Sequence, residues 1–116
     1  MSDLVEFFKA RRDEDQWIAE GAAQDAGSAW ESAKTFGPHG SDPIDDHIAR
    51  HDPARVLADV QADRRLIAEY ERAVEFYNRP ENQRHSAGEV TGLYTAIKIR
   101  AERFADHPDY RDEWRP

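Results

Sequence analysis

The chain has 116 residues, 24 of them acidic and 16 basic, for a formal net charge of −8 and no cysteine. That length fits one domain, and a chain of this size buries roughly two thirds of its unfolded surface without metal or disulfide help. The missing cysteines exclude thiol catalysis and every cysteine-held zinc or iron–sulfur site, and the acidity argues against gripping a nucleic-acid backbone.

With 39% apolar and 34% charged residues, against about 25% charged in an average domain, the core must be lean. Such a balance suits amphipathic helices with broad wet faces, or a chain that borrows apolar cover from a partner. Twelve aromatic residues, mostly inside periodic segments, argue for folding rather than disorder.

The first helix is expected over residues 3–24. Asp3 and Glu6 stand at capping-box spacing, and Leu4, Phe7, Phe8, Arg11 and Ile18 fall near one face. The same stretch carries scattered charges and lacks the apolar h-region of a secretory signal. No apolar run nears the ~20 residues that span a bilayer, so the expectation is a cytoplasmic protein that does not engage membranes. Gly21 and Gly27 weaken the helix end, and a short helix over residues 28–36 would carry Trp30 and Phe36 as anchors. Residues 37–43, with two glycines and two prolines, read as a loop.

Pro43, capped by Asp42, can open a short helix towards His51. Asp52 followed by Pro53 pairs an N-cap residue with an N1 proline, which predicts a bend and a new helix over residues 53–78. There Val56, Val60, Ile67, Tyr70, Val74 and Tyr77 form a seam of alternating three- and four-residue steps interrupted by Asp63 alone. A polar turn with Pro80 follows. Ser86 and Glu89 then make a capping box for a last helix ending near Phe104, with Val90, Leu93, Tyr94, Ile97, Ala101 and Phe104 facing inward. In the tail, residues 105–116, one helical turn would bring Tyr110 and Trp114 onto the body together. No strand pattern or internal repeat is visible.

His47 and His51 share a helix face at the spacing of metal-binding histidines. The residues between them supply no glutamate base, and a third ligand would have to be His107, Asp46, Asp52 or Asp106. A plainer account puts His51 at a helix C-terminus, where the dipole favours a cation, and gives Asp52 the role of cap. Asp106 beside His107 could orient a general base, yet no nucleophile accompanies it, and the serines fit caps and loops. A helix-turn-helix built on Arg55, Arg64 and Arg65 is opposed by the interleaved Asp59 and Asp63.

Two stretches carry a resemblance: Asp46-His47-Ile48-Ala49-Arg50-His51-Asp52-Pro53-Ala54-Arg55-Val56-Leu57, and Ala105-Asp106-His107-Pro108-Asp109-Tyr110-Arg111-Asp112-Glu113-Trp114-Arg115-Pro116. With residues 4–19 they make the chain similar to a family of small uncharacterised proteins from Streptomyces-like actinobacteria and their phages. Many such relatives carry cysteines after the long helix, where residues 79–98 here have none. The resemblance implies an origin and a shared design of the His51-Asp52-Pro53 bend and the His107 tail, but no mechanism.

The sequence therefore predicts a single all-α domain over residues 1–116. It would be a small bundle of three long helices with one or two short ones and a docked aromatic tail. The leading functional expectation is a non-enzymatic accessory protein without a cofactor that binds another protein, or a second copy of itself, through Trp17, Trp30, Tyr77, Tyr110 and Trp114. One alternative is a divalent-metal site of the zinc type at His47, His51 and His107. Another is an acidic inhibitor of a nucleic-acid-binding enzyme, with its acids on one face.

Overall fold

A computed structural model describes residues 2–28 and 43–116, side chains 45, 46 and 85 excepted. Among the described residues every regular element is helical: α1 (Asp3–Ala26), α2 (Pro43–Arg50), α3 (Pro53–Tyr77) and α4 (Gln83–Ala101), with 3₁₀ turns at Pro80–Asn82, Glu102–Phe104 and Asp112–Trp114. The expected short helix with Trp30 and Phe36, the following loop, the Asp42 cap and the side chain of Asp46 lie outside the described residues.

The helix ends follow local chemistry, with two corrections to the expected caps. At α1 the first-turn donors go to Ser2, whose hydroxyl accepts from the Leu4 N–H at 3.2 Å and whose carbonyl accepts from the Glu6 N–H at 3.2 Å. Asp3 therefore lies inside the helix, and its carboxylate meets Arg111 at 2.9 Å. The helix runs past Gly21 and stops at Gly27, whose φ of +81° gives the left-handed turn that glycine makes without strain. At α4 the helix begins three residues ahead of Ser86, because the Pro80–Asn82 turn leads straight into it. Ser86 Oγ accordingly donates back to the Asn82 carbonyl at 2.9 Å, and Glu89 reaches Arg72 at 3.1 Å instead of closing a capping box. At α3, Asp52 accepts from the Arg55 N–H at 2.8 Å through its side chain and from the Val56 N–H at 3.0 Å through its carbonyl.

The chain divides into two compact units, one made of Met1–Arg11 and Ala62–Pro116, the other of Arg12–Gln61. The first holds the large apolar side chains: Leu4, Val5, Phe7, Phe8, Ile67, Tyr70, Ile97, Ala101 and Trp114 form one buried cluster, with Val74, Val90, Leu93, Tyr94, Phe104 and Tyr110 packed against it. The Phe7 ring lies 5.1 Å from Trp114, 5.9 Å from Tyr110 and 6.5 Å from Phe104, in edge-on or tilted arrangements that suit aromatic quadrupoles. Burial, and then the neighbouring Tyr94, raises the Tyr70 phenol above its ordinary pKa of 10.0.

Asp63, the residue that breaks the seam of α3, is only 3% exposed. Its two oxygens take Arg100 of α4 at 2.9 and 3.2 Å, with Arg103 at 3.8 Å. A buried carboxylate held by a forked guanidinium favours one register of α3 against α4, since any other would strand the charge.

Two denaturant-melting measurements test this account. Trp114→Ala is expected to cost about 3–5 kcal/mol, as removal of a fully packed aromatic ring does. Arg100→Ala is expected to cost about 2–4 kcal/mol because it leaves Asp63 without its main partner, whereas Asp63→Leu should cost clearly less. Equal losses for the two would show that the pair contributes stability and not register.

Candidate interaction surface

The described part of the second unit has few buried large side chains. Among its described residues, the buried apolar positions are Ala19, Ala49, Pro53 and Val60, joined by Arg12. Arg12 is held by Asp15 one turn later at 2.9 Å. Among the unit's described residues Trp17 is 77% exposed and Ile18 55%, Ile44 and Ile48 of α2 are exposed as well, and Val56 and Leu57 are half-buried.

Trp17 and Ile18 border a groove. Asp15, Ile18, Ala19 and Ala22 recur at three- and four-residue steps, so they line one face of α1. His51, Pro53 and Val56, from the junction of α2 and α3, form the opposite wall of a hollow of about 240 Å³. Ile18 and Ala22 also line a neighbouring shallow hollow of about 350 Å³ with Trp17, Glu20, Gly21 and Gln24, making the apolar strip continuous. The small side chains of Ala19, Gly21 and Ala22 open the space. The walls are tied by a backbone bond from the Ala54 N–H to the Ser28 carbonyl, 2.9 Å long, just past the Gly27 turn.

Ile18 was expected on the covered face with Leu4, Phe7 and Phe8, and it is exposed instead. Helical spacing sets which residues share a face; it does not supply the opposing side chains that cover them. Of the aromatic anchors inferred from sequence, Trp17 is exposed, Tyr77 and Tyr110 are half-buried, and Trp114 is enclosed by its own unit. Asp15, Ala19 and Ala22 carry no signal of their own in the sequence, and Pro53 and Val56 stand out there only as the bend and as the start of the α3 seam. The small residues Ala19, Gly21, Ala22 and Ala23, interrupted by Glu20, were the available sign of a close approach.

The histidines fall into different units. His47 and His51 stack with ring centroids 4.3 Å apart, and His51 Nδ1 donates to the His47 carbonyl at 2.7 Å. A carbonyl only accepts, so this bond places the proton on Nδ1. In the first unit, the His107 ring lies 5.4 Å from Phe7, its Nδ1 accepts from the Asp109 N–H at 3.1 Å, and its Nε2 meets the Arg11 guanidinium. Among the described residues no three histidine or carboxylate side chains converge as a metal-binding group, and no helix is long and apolar enough to cross a membrane.

A family model, described as a family of unknown function (DUF6221), matches residues 1–116. The chain belongs to that family. No curated protein and no solved structure matches it.

Dialysis against a chelator is expected to leave the melting temperature unchanged, as followed by circular dichroism at 222 nm on untagged protein. A fall of several degrees, reversed by added zinc, would establish a structural metal at the histidines.

Proposed function

We propose that the protein is a non-enzymatic helical accessory protein that works by binding another protein through the groove of its second unit. The observation that carries this reading is Trp17, 77% exposed beside Ile18 on a helix face that continues into an apolar hollow. Keeping a large aromatic ring in water has no benefit for the fold, and aromatic side chains beside a preformed hollow are the usual anchors of protein interfaces. In this reading the first unit is the scaffold: a small bundle of α1, α3 and α4 segments with residues 105–116 docked on it. The motifs at residues 46–57 and 105–116 support an actinobacterial or phage origin.

The test compares wild type with the double variant Trp17→Ser/Ile18→Ser by cross-linking in an actinobacterial host with quantitative mass spectrometry. The variant should melt within a few degrees of wild type, because exposed substitutions cost within about 0.5 kcal/mol each. At least one protein cross-linked to wild type should fall tenfold or more with the variant. Indistinguishable cross-link profiles from two equally stable proteins would overturn the reading.

A further inference from the structure

The charge of the chain is unevenly shared between its two units. Residues 12–61 contain eleven acidic and four basic side chains, a net of −7, whereas the remainder has thirteen acids and twelve bases, a net of −1. The acids interspersed with bases along the sequence as a whole are thus close to balanced where the large core lies, and nearly all of the excess belongs to the unit with the exposed apolar strip. Glu20 lines the strip beside Trp17 and Asp59 stands exposed further along the unit, while Asp15, which lines the hollow with Ile18, already holds Arg12.

From this coincidence we infer that the groove takes a cationic amphipathic helix of a partner protein, its apolar face on Trp17, Ile18, Ala22 and Val56 and its lysines or arginines over the surrounding acids. The inference rests on the docking reading above and adds the partner's chemistry to it. The stepped positions of α1, with Pro53 and Val56 opposite, leave a trough between two helical walls, and helices enter such troughs with anchors at i, i+3 or i+4, and i+7. A second copy of this chain is a poor occupant, because it would set a unit of net −7 against another of the same sign. A cationic helix meets an attractive field as it approaches and desolvates only apolar surface at the centre.

Tryptophan fluorescence and calorimetry on the full chain decide this with three synthetic 18-residue helices that share one leucine face. Their polar positions carry lysine, glutamine or glutamate. The lysine peptide should bind at least tenfold tighter than the glutamine peptide at low salt and shift Trp17 emission to the blue. Its affinity should fall as salt rises, and it should weaken tenfold or more on Trp17→Ser/Ile18→Ser and severalfold on Glu20→Lys. Equal binding of the lysine and glutamine peptides would overturn the cationic partner and leave the docking surface standing. Binding that depends on salt but ignores Trp17→Ser/Ile18→Ser would overturn the groove itself, leaving a purely electrostatic surface. A concentration-dependent dimer by light scattering, abolished by the same double variant, would assign the groove to a second copy and overturn the inference.

Discussion

The Phe7 ring organises the first unit. It receives Trp114, Tyr110, Phe104 and the His107 ring on its edges and faces, and the Arg11 guanidinium lies 5.4 Å from its centre. One aromatic side chain on the second turn of α1 thereby meets three rings of residues 105–116, those of His107, Tyr110 and Trp114. The Asp3–Arg111 ion pair joins the same two segments across 108 residues of sequence. An exposed pair of that kind contributes little alone; burial of the rings supplies the larger share, since each encloses far more apolar surface than the pair screens.

That concentration has a cost elsewhere. A chain with 39% apolar residues has few large side chains to distribute, and the cluster around Phe7, Phe8, Ile67 and Ile97 takes most of the described ones. Among the described residues of the second unit the buried apolar positions are alanines, a proline and a valine. Alanine burial stabilises weakly, so the local backbone devices of that unit matter more: the Asp52 cap, the Gly27 turn, and the bond between Ala54 and Ser28. Such a surface is shaped by its backbone and open on one side.

The helices were legible because their boundaries rest on short-range chemistry. Pro43 and Pro53 mark the starts of α2 and α3, and the stepped seam from Val56 to Tyr77 identifies the longest helix together with the odd charge inside it. The start of α4 was misplaced because Ser86 and Glu89 have the spacing of a cap, and the spacing alone cannot show that a 3₁₀ turn at Pro80 already begins the coil. Ile18 was assigned to the core by its periodicity, which names a face without naming its neighbour. Arg12 gave no sign of its burial, which pairing with a carboxylate such as that of Asp15 makes tolerable. The groove was illegible for a related reason. Its walls come from segments some thirty residues apart, and each looks like an ordinary run of alanine and valine until they are brought together.

The first unit is discontinuous in sequence, with residues 12–61 standing between its two parts. Leu4, Val5, Phe7 and Phe8 leave the ribosome early, while Ile67, Ile97 and Trp114 follow much later. At a synthesis rate of ~5–20 residues per second, that apolar strip waits on the order of ten seconds for its partners. During that interval the nascent chain shows an amphipathic segment with nothing to cover it. The core of the first unit can therefore close only once the residues between its two parts have been translated.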